Sequence, residues 1–331
     1  MTKKLHPTLL RTLMFTVAWF SCAASAMSVD ADFQPLLKAR NLAGVEALAQ
    51  ERMTVNSKDD VAIWYLGRMV AGDTNKRVAL LTRVEQCIKD LPQSARCHHT
   101  LGSLYGAMAL SGGMTAGIKY AGRIKEMYLK AVALDPKNYT MRRDLNQFYL
   151  MAPGMAGGSV SKAVTNSHEF AKIDPLRSQL LLAEVQIYEK KFTQAESTIK
   201  AVIPGADADL AETILNGTTS LGFAMINNNE AAKAQKLFEQ LIAAAPTNAT
   251  VHFGLGRALL EQNNFNGAIA AIERALQIEP KLTGHYRLAL AYQGKGDDAK
   301  AIAAYQQFLS YQTSGKAADD AKKRLADLQR R

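Results

Sequence analysis

The sequence predicts an all-α protein, a right-handed α-solenoid of stacked helix-turn-helix units, on three observations. The C-terminal part superimposes on itself at a spacing of 34 residues: Leu221-Gly222, Ala234, Phe238 and Pro246 fall over Leu255-Gly256, Ala268, Ile272 and Pro280. Within each period, a large residue beside a small one, then Ala, then Pro describe two helices of about 12 to 14 residues that approach closely and stop at the Pro. No strand-like alternation interrupts them. Such a hairpin cannot bury its apolar stripe alone and must stack on neighbours.

Taken in order, residues 1–26 read as a cleaved secretory signal. Lys3, Lys4 and Arg11 precede an apolar run from Leu13 to Phe20 and an Ala24-Ser25-Ala26 site. The mature chain is expected to start at Met27 and to be periplasmic or secreted. Trp19 and Phe20 stand where lipidation at Cys22 would need a Leu-like and a small residue, and no later run is apolar for long enough to span a bilayer. Residues 27–59 form a degenerate first repeat, with a hairpin from Phe33 to Met53.

Residues 60–175 carry repeats with two insertions. Leu66-Gly67, Ala79 and Pro92 make one unit, and Leu101-Gly102 and Tyr105 begin the next. Its second helix, ending at Pro136, arrives about ten residues late, after "AMALSGGMTAG". The unit that starts with Leu145 and Tyr149 has about five extra residues in "APGMAGGS" and ends at Pro175.

Residues 176–315 are more regular. Leu182-Ala183, Phe192, Ala195 and Ile199 precede the two superimposed lines, and Leu288-Ala289, Tyr292, Gly296, Ala301 and Tyr305 follow. Residues 316–331 form an amphipathic capping helix with Ala318, Ala321, Leu325 and Leu328 on one face.

The register of large-small pair, Ala, aromatic and Pro resembles the tetratricopeptide repeat. The two long units, "LGSLYGAMALSGGMTAGIKYAGRIKEMYLKAVALDPKN" and "LNQFYLMAPGMAGGSVSKA", resemble a subfamily of bacterial secreted tetratricopeptide proteins. That subfamily carries a Leu-Gly-x-x-Tyr-Gly block and an Ala-Pro-Gly-x-x-Gly-Gly loop. "IKEMYLKAVALDPKN" is more distantly similar to the repeat region of eukaryotic regulator of microtubule dynamics proteins. The resemblance implies a scaffold of the bacterial cell envelope and no assigned reaction.

Composition excludes several function classes. The formal charge is +10, and removal of three basic residues with the signal leaves +7. The charges alternate in sign and do not cluster with aromatics, which argues against nucleic acid. His98, His99, His168, His252 and His285 include no i, i+4 pair, so they read as lone surface or groove histidines and no metal is expected. No G-x-S-x-G elbow occurs. No cofactor is expected, and the protein is read as a non-enzyme.

Cys87 and Cys97 lie five residues either side of Pro92, symmetric about a turn between antiparallel helices, and are expected to form a disulfide in an oxidising compartment. The Gly-rich stretch around Gly154, Gly157, Gly158 and Ser159 lacks the G-x-x-x-x-G-K-[ST] spacing and the preceding strand of a nucleotide loop. It reads as a connection in which Ser159 caps the next helix. Anion binding by the first amides of that helix is the functional alternative.

In this repeat family the residues two before and two after the paired Leu tend to look into the concave trough. Here they are Trp64 and Arg68, His99 and Ser103, Arg143 and Gln147, Thr219 and Phe223, Phe253 and Arg257, and Tyr286 and Leu290. Aromatics and Arg recur, the residue types enriched at binding hot spots. The expected partner is a protein, through an extended or helical segment of neutral to acidic character. Docking through the convex side or the caps, and ligand binding or catalysis at the Gly-rich insertion near Gly157, stay open as alternatives.

Overall fold

A computed structural model describes residues 30–39, 41–70, 73–280 and 282–330; the signal expected over 1–26 lies outside the described residues. The described residues fold into successive helical hairpins, and no strand occurs among them. The first hairpin is α1 (Gln34–Lys38) and α2 (Leu42–Val55). Seven hairpins follow: α3 (Asp60–Val70) with α4 (Thr74–Asp90), and α5 (Ala95–Ser111) with α6 (Gly113–Leu134). Next come α7 (Tyr139–Met151) with α8 (Val160–Ala171), and α9 (Pro175–Tyr188) with α10 (Phe192–Lys200). The last are α11 (Ala208–Asn227) with α12 (Ala231–Ala244), α13 (Ala249–Glu261) with α14 (Phe265–Ile278), and α15 (His285–Lys295) with α16 (Asp298–Tyr311). The capping helix α17 (Lys316–Gln329) closes the stack, with Ala318, Ala321 and Leu328 buried against it.

Local chemistry sets the boundaries. Ser94, Asn138, Asp174, Asp207 and Asn248 each accept a backbone N–H from the first turn of the helix they precede, which satisfies one of its orphan donors. The large-small pair works as its spacing implies. A Cβ on Gly222 would lie 2.6 Å from the Phe238 ring, and one on Gly256 2.4 Å from Ile272 Cγ1. Bare backbone therefore lets the second helix of the hairpin come close enough to seat its large residue.

The structure gives the two irregular units their form. The excess at "AMALSGGMTAG" lengthens both helices of its hairpin, α5 to 17 and α6 to 22 residues, with only Gly112 between them. Leu110, Met114 and Ile118 stand out on that extension, 74%, 84% and 56% exposed. Pro175 does not merely end a unit, because it occupies the first turn of α9, where its missing N–H costs nothing.

Packing runs within hairpins, from each second helix to the next first helix, and between consecutive first helices such as α3 and α5, α9 and α11, and α11 and α13. The first helices thus form the inner wall of the solenoid. The apolar core follows the stack in successive stretches, from Phe33 through Val185, from Leu180 through Ala258, and from Leu259 through Leu328.

Candidate partner-binding groove

The inner wall divides into two parts of different chemistry. In the N-terminal part, the side chains expected to face the trough bind one another. Trp64 on α3 donates through Nε1 to His99 Nδ1 on α5 at 3.0 Å, and His99 Nε2 lies 2.9 Å from Asp144 Oδ2 on α7. Because Trp is donor-only, His99 Nδ1 accepts and Nε2 carries the proton toward Asp144. Trp64 is 9% and His99 2% exposed. Neither is offered to a partner, and the groove reading is corrected there: consecutive first helices stand close enough that these positions are shared between neighbours. His98 is buried as well, its Nε2 3.1 Å from the Pro92 carbonyl, as His252 Nε2 is 2.9 Å from that of Pro246. Of the reading of these as lone surface or groove histidines, the surface part gives way for His98 and His99, which are buried and hold backbone or side-chain polar groups.

The same seam continues through α7 and α9. Arg143 Nε donates to Glu184 Oε1 at 2.6 Å. Burial pushes the Glu184 carboxyl up, against the pull of the Arg143 charge. Asn146 donates to the Leu181 carbonyl at 3.2 Å, and Thr219 turns its hydroxyl to the Leu215 carbonyl of its own helix. Gln147 and Ser103 are half-buried, and Arg68 is exposed with its guanidinium over the Trp64 ring at 5.2 Å.

In the C-terminal part the expected residues do converge. Phe223 and Phe253 have ring centroids 6.4 Å apart across α11 and α13, and the Arg257 guanidinium lies 5.3 Å from the Phe223 centroid. Phe253, Arg257 and Tyr286 line one cavity of about 410 Å³ with Arg287, Phe308, Tyr311 and Lys316. No Asp or Glu lines it. Arg257 has one hydrogen bond, from Nη2 to Asn227 Oδ1 at 3.1 Å, and its Nε is buried without an acceptor. Burial first, and then the like charge of Arg287, hold the Arg257 pKa below its ordinary value. Arg287 is paired with Glu261 at 3.8 Å, and the Glu261 charge offsets part of the repulsion on Arg257; the site thus presents aromatic faces beside two neighbouring guanidiniums, a surface suited to an incoming carboxylate.

The cavity is closed from the cap side. Tyr286 donates to Asp320 Oδ2 at 2.7 Å, and Arg324 Nε reaches the same oxygen at 2.6 Å. His285 is kept below its ordinary pKa by burial, beside the Tyr311 hydroxyl at 3.3 Å. Sequence reasoning missed Phe308, Tyr311 and Lys316 because the last turn of a second helix and the start of the cap line the cavity at this end, and it missed Arg287 because that residue sits one position beyond Tyr286 on α15, outside the two positions read for each first helix. The signal present was Phe308 and Tyr311 at i, i+3 immediately before the break at Gly315.

The Gly-rich loop is a built turn. Gly157 has φ of 100° and ends a short 3-10 helix, Gly154–Ala156. The amides of Gly157, Gly158 and Ser159 donate to Gly154, Pro153 and Tyr149 carbonyls at 3.0, 3.1 and 2.7 Å. Ser159 caps α8 through the Lys162 N–H at 3.3 Å. Those three amides are spent inside the loop, and of the first amides of α8 that of Lys162 goes to the Ser159 cap. Cys87 and Cys97, both buried, are joined by a disulfide with Cα atoms 5.9 Å apart. No group of three or more His, Cys, Asp or Glu that could hold a metal ion occurs among the described residues.

Residues 226–292 and 284–314 each match the tetratricopeptide repeat. The Hsp70-Hsp90 organizing protein of Triticum aestivum is 33% identical over 99 residues, 28% of this chain and 17% of that protein. The crystal structure of yeast Tom70 superimposes with a TM-score of 0.62 at 15% identity, over 88% of this chain and 59% of that one. The chain thus spans about a sixth of the first protein's length and under two thirds of the second's. No helix among the described residues is long and apolar enough to cross a membrane. The stacked hairpins and the likeness to that structure make this an α-solenoid, whose residues 226–314 match the tetratricopeptide repeat.

Proposed function

We propose that the protein is a non-catalytic interaction scaffold of the bacterial cell envelope that holds an extended or helical segment of a partner protein in its concave groove. The observation that carries this is the cavity where Phe253, Arg257 and Tyr286 meet Arg287 and Lys316 with no acid among its lining residues. Aromatic and Arg anchors in a desolvated pocket are what hot spots are made of. The segment is neutral to acidic, and an acidic side chain or chain end sits between Arg257 and Arg287. The likeness to a protein named for organizing Hsp70 and Hsp90 supports a scaffold role.

Changing Phe253 to Ser and Arg257 and Arg287 to Ala should weaken capture of the partner from an envelope extract by about 2 kcal/mol or more per hot spot while helical circular dichroism is kept. Undiminished capture by that triple variant sinks the groove reading. Arg143 is left out of that variant, because its pairing with Glu184 makes its loss a stability change.

A second reading, docking through the outside of the solenoid, is favoured by the exposed Leu110, Met114 and Ile118. Loss of capture on changing these three to Ser, with the groove intact, would select it. Export is part of the proposal and rests on the charged, apolar and Ala-x-Ala order of residues 1–26. N-terminal sequencing of the exported chain should begin at Met27, and a membrane-bound full-length chain overturns it.

A further inference from the structure

A second cavity, of about 410 Å³, opens on the side of the second helices, away from the inner wall. Val132, Ala133 and Pro136 on and just after α6, with Leu145 on α7, give it an apolar floor, and the exposed Leu129 of α6 stands at its rim. Its polar lining is Arg142 and Tyr149 from α7 and Lys162, Thr165, Asn166 and Glu169 from α8. Arg142 is 8% exposed, with its guanidinium 5.8 Å from the Phe170 ring centroid. Its Nη1 donates to Asn166 Oδ1 at 3.1 Å and Glu169 Oε2 at 3.3 Å, which occupies one edge of the guanidinium. The other edge is different: Nε is buried with no acceptor among the described residues.

A buried guanidinium with an idle edge is costly, since each unmet donor forfeits its hydration. Asn166 does not serve the second edge, because its acceptor Oδ1 already takes Nη1 and its Nδ2 donates to the Arg142 carbonyl at 3.1 Å and Asn146 Oδ1 at 3.3 Å. Lys162 makes no ion pair with a described residue and stands at the mouth. Of the lining groups only Glu169 is acidic, and it is already engaged on the far edge of Arg142.

We infer that this cavity is a binding site for a carboxylate attached to an apolar group, whose two oxygens meet the free Nε edge of Arg142 while Lys162 closes over them and the apolar part rests on Val132, Ala133 and Leu145. One planar fork matches one carboxylate bidentately. The apolar floor discriminates against inorganic anions, which would have to shed water without replacing it. The carboxylate can come from a small amphipathic acid or from the chain end of a peptide with an apolar last residue.

The test uses the full chain and titration calorimetry with sodium octanoate, octanol, octylamine, inorganic phosphate, and acetyl-Ala-Ala-Leu with a free or an amidated terminus. Octanoate should bind at one saturable site at least tenfold more tightly than octanol or octylamine. Lys162→Ala, an exposed position, should weaken it several-fold, and Leu129→Glu at the rim should nearly abolish it. Arg142→Met should remove binding altogether, and the two rim variants carry the test if that protein fails to fold. Tighter binding of the free-terminus peptide than of octanoate, lost on amidation, identifies a chain end as the source. Octanoate binding no tighter than octanol, competition by phosphate at equal concentration, or indifference to both rim variants overturns the assignment.

Discussion

Replacing Gly158 by Ala is the sharpest single test of how the loop between α7 and α8 is built. A Cβ on Gly158 would lie 1.7 Å from the Ala152 carbonyl oxygen, and real Cβ contacts essentially never fall below 3.0 Å. The backbone must therefore open by 3.0 − 1.7 = 1.3 Å, and backbone, unlike a side-chain tip, has nowhere cheap to go. That opening breaks the Gly158-to-Pro153 and Ser159-to-Tyr149 hydrogen bonds at 3.1 and 2.7 Å. Each bond is worth about 0.5–1.5 kcal/mol net, and more where the group is left buried. The expected cost is about 3 kcal/mol. Gly157, at φ of 100°, meets only the Lys125 side chain, so Gly157→Ala should cost about 1–2 kcal/mol for the left-handed backbone alone. Gly154, with nothing within 4 Å of its Cβ position, is the control and should change little. Urea unfolding followed at 222 nm reads the series, with a midpoint shift of about 1 M for Gly158→Ala if the slope is about 3 kcal/mol/M. Hydrogen exchange should show the loss concentrated in α7 and α8, since a solenoid transmits stability to its neighbours only. Gly158→Ala indistinguishable from Gly154→Ala would refute the reasoning.

Other outcomes follow from the same geometry. The Cys87–Cys97 bond spans a separation of 10 residues, so its reduction should cost somewhat under ~3 kcal/mol on the chain-entropy account; two free thiols in the unfolded, unreduced protein would exclude the bond. Asn166→Leu removes one of the two acceptors of Arg142 Nη1 and the donor to Asn146 Oδ1 in a buried network and should cost about 1–3 kcal/mol in thermal or urea unfolding; a neutral result would mean the network contributes nothing. Burial acts upward on the Asp320 carboxyl, but hydrogen bonds from Tyr286 and Arg324 and the Arg324 charge outweigh it and hold its pKa below the ordinary value. Docking of α17 should therefore be fully supported above about pH 4 and weaken as pH falls through the lowered value. Asp320→Asn should flatten that acid dependence, read by exchange protection of α17, and an unchanged profile would contradict the pairing.

The sequence by itself determined the repeating architecture. Leu-Gly pairs, Ala and Pro at fixed spacing encode a helical hairpin through contacts within one unit, such as Phe238 against the bare backbone of Gly222. The stop and start residues, Ser94, Asn138, Asp207 and Asn248, act within one turn of themselves. The face of α17 that carries Ala318, Ala321 and Leu328 was legible for the same reason. What only the tertiary structure decided is which inner-wall side chains are free. Helical spacing places Trp64, His99 and Phe253 at equivalent positions, but it says nothing about how closely one first helix stands to the next. Where α3, α5 and α7 come together, Trp64, His99 and Asp144 consume one another's hydrogen-bonding groups. Where α13 and α15 meet the cap, Arg257 keeps a buried Nε without a partner and opens on a cavity. Distances between repeats are set by the sum of many packing contacts along the stack, and no residue pattern within a repeat records that sum.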